Sequence, residues 1–273
     1  MKTRAITGVF FVVLMLASVL LGPFVYSGFY LLLATGCLFE FYTLFSGERK
    51  ESESGFLPHK RLGIVLGFFM LAWLILVQLG IISDKWTVLL FMIVPVLLIR
   101  QLYLSDTVPF GRIAGTVLGF VYVTVPFYCF FLLGFVKGEF NGLIPMGFLL
   151  ILWANDTGAY LIGKSFGRNK LFERISPKKT WEGFVGGGLA AIMVGIILFN
   201  QTDGLLPLWQ WLVVAGLIAV VGTLGDLVES LLKRSLAVKD SGSLLPGHGG
   251  LLDRFDGLLL AAPIVYLFLL LLS

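Results

Sequence analysis

Apolar runs of about 20 residues recur along the chain, separated by polar joins. They lie near 5–22, 26–46, 62–82, 86–104, 114–135, 142–163, 183–200, 208–232 and 254–272. A helix rising 1.5 Å per residue needs ~20 apolar residues to cross a ~30 Å hydrocarbon core. The pattern therefore predicts an all-α polytopic membrane protein with about nine transmembrane helices. Short joins after the first and third runs predict helical hairpins. Longer polar stretches fall at Ser46–Arg61, Lys164–Glu182 and Lys233–Asp253. The runs group into an N-terminal membrane region, 1–140, with about five spans, and a C-terminal region, 141–273, with about four. The second region holds the loops 164–182 and 233–253, and most of the candidate chemistry.

Composition agrees with the pattern. Hydrophobic residues make up 58% and charged residues 13%, against about 25% charged in a soluble domain. The opening "MKTRAITGVFFVVLMLASVLLGPF" has a basic tip and an apolar stretch, and reads as an uncleaved first helix. Cys37 and Cys129 each sit in an apolar run, with no spacing that suggests a disulfide framework or a zinc site. Of the 20 Lys and Arg residues, only Lys85 and Lys137 fall on the far side of a nine-span topology. The positive-inside rule then predicts a cytoplasmic N-terminus in the cell (inner) membrane, with the basic loops facing the cytoplasm. The same bias explains the net charge of +4 without a nucleic-acid partner.

Two glycine-bearing segments need separate readings. "GAYLIGKS", Gly158–Ser165, fits the spacing of a P-loop. A working P-loop needs a strand before it and a helix directly after, whereas this one follows an apolar span and precedes a basic polar loop. "GFVGGGLAAIMVG" opens the seventh run and reads as a surface for close helix packing in lipid.

Carboxylates inside apolar runs are the strongest chemical signal, because a charge at mid-membrane costs at least ~2.5 kcal/mol. Glu40, Asp156, Asp226 and Glu229 are such residues. If the eighth helix continues to about Arg234, then Asp226, Glu229 and Lys233 share one face. A polar loop with Lys239, Asp240, His248, Gly249 and Gly250 follows. Asp253 and Asp256 then come one turn apart at the start of the ninth helix. Two carboxylates on adjacent helix ends suit a hard divalent cation such as Mg²⁺, which shares its oxygen shell with phosphates. Lys233, Arg234, Lys239 and Arg254 suit phosphate oxygens, and the glycines near His248 let backbone amides approach an anion. Asn155, Asp156, Lys178, Lys179 and Glu182 stand at the sixth and seventh span ends, where they can line the same pocket. The plainer readings are an i,i+4 pair for Glu229 and Lys233, helix capping for Asp253 or Asp256, and topology anchoring for the lysines.

At these residues the chain resembles the phosphatidate cytidylyltransferase family. "SLLKRSLAVKDSGSLLPGHGGLLDRFD", Ser230–Asp256, fills every specified position of that family's signature. "WANDTGAYLIGKSFGRNKLF…ISPKKTWEGFVGG", Trp153–Gly187, is similar to the family as well. The resemblance implies transfer of CMP from CTP to phosphatidic acid, giving CDP-diacylglycerol and pyrophosphate. It also implies Mg²⁺ as one or two ions, Asp226 and Asp253 as metal-binding carboxylates with Asp256 assisting, and a homodimer in the bilayer. Two alternatives stand beside it. One is a cytidylyltransferase for another lipid phosphate; the other is an ion-coupled transporter relaying protons through Glu40, Asp156 and Asp226.

Overall fold

The computed structural model describes residues 2–45, 57–106, 108–242, 244 and 249–272. Its helices are α1 (Lys2–Leu20), α2 (Pro23–Leu44), α3 (Lys60–Gln78), α4 (Ile93–Gln101), α5 (Pro109–Leu133), α6 (Leu143–Phe166), α7 (Trp181–Gln201), α8 (Leu208–Ser235) and α9 (Asp256–Leu270). Most of the predicted loop Ser46–Arg61 lies outside the described residues. The predicted hairpin after the first run is present. Gly22 takes φ +106°, a left-handed conformation open to glycine, and Pro23 starts α2 directly after it.

Among the described residues, α2, α3, α5, α7 and α8 are the 5 helices long and apolar enough to cross a bilayer. The other predicted runs depart from a regular apolar helix for identifiable reasons. α6 has the length, but Asn155, Asp156 and Thr157 dilute its apolar run. α1 and α9 supply shorter apolar stretches, Phe10–Leu20 and Asp256–Leu270. The run at 86–104 is split into a 3-10 segment, Asp84–Met92, and the short α4. Pro95 accounts for the break: an α-helix running through it would lose one N–H and press the ring onto the carbonyl four residues earlier.

Side-chain distribution supports the membrane assignment. On α7 the buried positions are Gly183, Gly187, Ala191 and Gly195, while Val185, Leu189, Met193 and Ile197 are exposed. A soluble helix hides its large apolar residues, whereas a lipid-facing one can turn them outward and pack through small ones. One buried core, including Tyr26, Phe127, Phe148, Trp211, Phe255 and Leu258, draws on both halves of the chain. α8 carries a π-helical turn at Ile218–Gly222. Such a turn takes in an extra residue and re-aims everything beyond it, here Thr223 and Asp226.

The loop 164–182 contains a β-hairpin that the apolar pattern does not foresee. β1 (Lys170–Phe172) pairs antiparallel with β2 (Ser176–Thr180), placing Lys170 opposite Thr180. Thr180 ends the hairpin and caps α7, its Oγ1 accepting from the Gly183 amide at 3.2 Å.

The α6–α7 contact fixes the segment that bears Asn155 and Asp156. A Cβ on Gly187 would stand 2.7 Å from the carbonyl oxygen of Asn155 and 2.7 Å from its Oδ1, and one on Gly186 would strike Ile162 at 2.5 Å. Close packing is thus the role of Gly186 and Gly187, whereas Gly188 would meet only Ala219, at 3.9 Å. Gly158 of the P-loop-like stretch lies inside α6, against Gly186, Gly187 and Ala190. That segment is helix throughout, with no preceding strand, so its glycines serve helix contact. Gly187→Ala is expected to lower stability by about 1–3 kcal/mol, because the backbone it meets cannot yield as a side chain would. Gly188→Ala should be near neutral. Thermal unfolding of both variants in detergent micelles checks the contrast.

Candidate active site

A cavity of ≈ 650 Å³ opens where α6, α7, α8 and the start of α9 converge with β2 and α1. Its polar wall carries Asp156 and Asn155 from α6, Lys178 and Lys179 from β2, Asp226 from α8, and Asp253, Arg254 and Asp256 from the last turn and helix. Its apolar wall carries Phe11, Val12 and Met15 from α1, with Trp153 and Phe184. Eight of the sixteen sequence-predicted site residues therefore share one cavity.

α6 runs on to Phe166, which puts Asn155 and Asp156 well inside a helix, about 15 Å short of its end at 1.5 Å per residue. The asparagine is 2% exposed. Its Oδ1 has no hydrogen-bond donor among the described residues, leaving an oxygen available to a ligand. Asp226 meets the Lys179 ammonium at 2.7 Å. That lysine also donates to the Thr223 carbonyl at 3.3 Å, so β2 is fastened to α8 at the cavity. Ser230 Oγ adds a bond to Asp226 Oδ1 at 3.3 Å. Asp156, Asp226 and Asp256 repel one another electrostatically, with Lys179 as the opposing cation.

Asp253 is placed differently from the sequence expectation. It sits in a 3-10 turn, Leu252–Arg254, and α9 begins only at Asp256. Phe255, fully buried in the core, separates the two aspartates. Asp253 Oδ1 accepts from Lys233 at 2.5 Å, and Oδ2 accepts from the amides of Ser241 and Gly250, each at 3.0 Å. Burial alone would raise its pKa. The hydrogen bonds it accepts, that from Lys233 foremost, outweigh burial and hold the carboxyl below its ordinary value. Asp253 therefore stays ionised at neutral pH. Gly249 holds φ +84°, a turn that carries the chain past Asp253.

Lys233 is off the cavity wall but bonded to it through Asp253, with its ammonium also 3.3 Å from Glu229 Oε1. Glu229 is fully buried, so this i,i+4 pair lies inside the protein. Arg234, Lys239 and Asp240 are exposed at and beyond the end of α8 and do not line the cavity. Glu182 also stays off the wall. Its carboxylate accepts from the amides of Arg168 and Asn169 and from Asn169 Nδ2 at 2.7 Å. It ties the chain leaving α6 to the start of α7 and so braces the hairpin that delivers Lys178 and Lys179. His248 lies outside the described residues.

The apolar wall from α1 carries no chemical marker in the sequence and is visible only in three dimensions. The Lys179–Asp226 pair is hidden for another reason, since it depends on the hairpin's register.

The donor set suits Mg²⁺. Every candidate ligand is an oxygen, as that hard ion prefers. Asp156, Asp226, Asp253 and Asp256 place four carboxylates on a wall with three cationic side chains, Lys178, Lys179 and Arg254. When all are ionised this wall is net negative, and a polyanionic ligand needs further positive charge to enter. Among the described residues no group of three acidic, thiol or imidazole side chains has already converged as a metal cage. Mg²⁺ does not require one, since it usually takes one or two carboxylates and completes its shell with water and substrate phosphates.

Comparison with known proteins supplies the family. A model of the cytidylyltransferase family matches residues 2–272. The phosphatidate cytidylyltransferase of Bacillus subtilis (strain 168) is 33% identical over 285 residues, covering 100% of this chain and 99% of that protein. The phosphatidate cytidylyltransferase of Staphylococcus haemolyticus is 47% identical over 120 residues, 44% of this chain and 46% of that protein. That of Staphylococcus aureus (strain COL) is 48% identical over 120 residues, with the same coverage. With its full length matched by both the family model and the Bacillus protein, the chain belongs to the cytidylyltransferase family.

Proposed function

We infer that this chain is a phosphatidate cytidylyltransferase, a CTP-dependent nucleotidyltransferase of phospholipid biosynthesis. It transfers CMP from CTP to phosphatidic acid and releases CDP-diacylglycerol and pyrophosphate. The observation that carries this reading is the single cavity with two kinds of wall. Carboxylates and ammonium groups face the phosphates, while Phe11, Val12, Met15, Trp153 and Phe184 offer an apolar surface to a lipid. Family membership favours this activity over ion-coupled transport.

A phosphatidate oxygen forms the new bond to the α-phosphorus of CTP. The bond from that phosphorus to the bridging oxygen of the β-phosphate breaks, and the electron pair leaves with pyrophosphate. The lipid phosphate is already an anion near neutral pH, so no general base is needed. Catalysis of such a transfer is positioning and charge stabilisation. Lys179 and Lys233, each held by an aspartate, are pre-placed cations that can exchange a carboxylate oxygen for a phosphate oxygen. Lys178 and Arg254 extend the same wall, and Arg234, Lys239 and Asp240 sit beyond it where a polar nucleotide enters. Asp226 and Asp253 would hold Mg²⁺, with Asp256 assisting and Asn155 Oδ1 and Asp156 beside them. The ion, when bound, offsets phosphate charge and polarises the phosphate oxygens.

The same reading takes the membrane topology as nine crossings with a cytoplasmic N-terminus, supported by the Lys and Arg bias. The cavity then opens to the cytoplasm of the cell inner membrane, where CTP is supplied. The working unit is taken as a homodimer, as the resemblance implies.

Purified protein incubated with labelled CTP, phosphatidate and Mg²⁺ should yield lipid-extractable nucleotide and an equal amount of pyrophosphate. EDTA should abolish turnover, and excess Mg²⁺ should restore it. Adding Mg²⁺ should also raise the melting temperature of the substrate-free protein, a readout that does not depend on activity. Pyrophosphate released without a lipid product would overturn the assignment. In competition assays, stronger use of a different lipid phosphate would shift it to that acceptor.

A further inference from the structure

Glu40 lies on α2, about 200 residues from the signature segment, and is 1% exposed. Among the described residues its hydrogen-bond donors all lie on that segment. Oε2 accepts from the Ser241 hydroxyl at 3.0 Å and from the Leu252 amide at 2.9 Å, and Oε1 accepts from the Leu244 amide at 3.3 Å. The backbone is pressed onto it. A Cβ on Gly242 would stand 2.4 Å from Oε1, and one on Gly250 would stand 2.6 Å from Oε2. The glycines at these two positions thus have a local cause, since the main chain must come within hydrogen-bonding reach of a buried carboxylate.

Asp253 grips the same segments from the other side. Ser241 gives its hydroxyl to Glu40 and its amide to Asp253, while Leu252 gives its amide to Glu40 and Gly250 gives its amide to Asp253. Asp253 in turn holds Lys233. Two carboxylates from opposite halves of the chain therefore clamp one backbone crossing, and only Asp253 faces the cavity.

We propose that Glu40 is a positioning residue for cytidylyl transfer: by fixing Ser241 and Leu252 it holds Asp253, and through Asp253 it holds Lys233, at the cavity. This rests on the reading that Asp253 and Lys233 serve the reaction. It gives α2, which carries none of the family signature, a defined part in the chemistry.

Glu40→Gln is the informative substitution. It keeps the shape, and its one carbonyl oxygen can still serve Ser241 and Leu252, but its NH₂ group then opposes the Leu244 amide. The variant should melt within a few degrees of the parent. Its kcat should fall by about 10–100-fold, the usual loss when a residue supporting a site ligand is changed, with KM for phosphatidate unchanged. Glu40→Ala removes all three acceptor interactions and should lose more. In an Asp253→Asn background, Glu40→Gln should cause no further loss of equilibrium binding of labelled CTP, because its effect runs through Asp253.

Parent kcat in Glu40→Gln, with Asp253→Asn inactive, would overturn the role of Glu40 alone. So would an additive loss of CTP binding in the double variant. A kcat loss that tracks a lowered melting point and vanishes on cooling would reduce Glu40 to a structural brace. Parent activity in Asp253→Asn would instead remove the site reading itself, and the single variants tell these failures apart.

Discussion

Asp226→Asn is expected to lower turnover by about a thousandfold, or about 4 kcal/mol of transition-state stabilisation, while leaving the chain folded. The two halves of this expectation rest on different features of one side chain. Asp226 is 39% exposed and its partner Lys179 24% exposed, so their ion pair is partly wetted and contributes about 0–1 kcal/mol to stability. Its loss should move the melting midpoint little. For catalysis the same atom is hard to replace. Asparagine puts a donor where an oxygen faces the cavity and removes one of the carboxylates assigned to Mg²⁺. It also frees Lys179 to swing with the hairpin, restrained at its ammonium by the Thr223 carbonyl at 3.3 Å. Lipid-extractable label per folded molecule, at saturating CTP and Mg²⁺, is the measurement. Parent-level turnover would withdraw Asp226 from the site.

Why Asp226 was readable from sequence, and other parts of the cavity were not, follows from contrast. In an apolar chain a carboxylate is an anomaly, so Asp156 and Asp226 stand out within their runs, whereas Asp253 is marked by the signature segment, since capping of the ninth helix would otherwise explain it. Phe11, Val12 and Met15 are apolar residues in an apolar helix. Nothing distinguishes a wall of the cavity from a surface facing lipid until α1 is seen against α6. Glu40 shows the intermediate case. Its burial was legible as an oddity, but its partners lie some 200 residues away, and only the fold brings Ser241, Leu244 and Leu252 to it. Helix count had a similar limit. Hydropathy finds the run at 86–104 but does not weigh Pro95, and it reads α6 as a plain span although the site's own polar residues interrupt its apolar run. The hairpin escaped because its strands, of three and five residues, are too short for an alternating pattern to mark them.

The largest loss of stability is expected at Lys233. Its side chain is 13% exposed, Glu229 is 0% and Asp253 is 15%. These are interior charges, unlike the half-wet Lys179–Asp226 pair. Lys233→Met keeps the bulk of the side chain but strips the Asp253 carboxylate of its cation and buried Glu229 of its partner, a change that costs about 3–5 kcal/mol. The melting midpoint should fall on the order of 10 °C, and turnover should be lost with it. Stability and chemistry can then be separated by a second substitution. Glu229→Gln with Lys233→Met makes the Glu229 side neutral and leaves Asp253 held only by the Ser241 and Gly250 amides, so it should recover part of the lost stability. Turnover should not return, because Asp253 still lacks the ammonium that fixes it at the cavity. Thermal unfolding and cytidylyl transfer, measured on the parent, the single variant and the double variant, test this directly. If the double variant regained activity along with its fold, Lys233 would be a counter-ion for Glu229 and no part of the reaction.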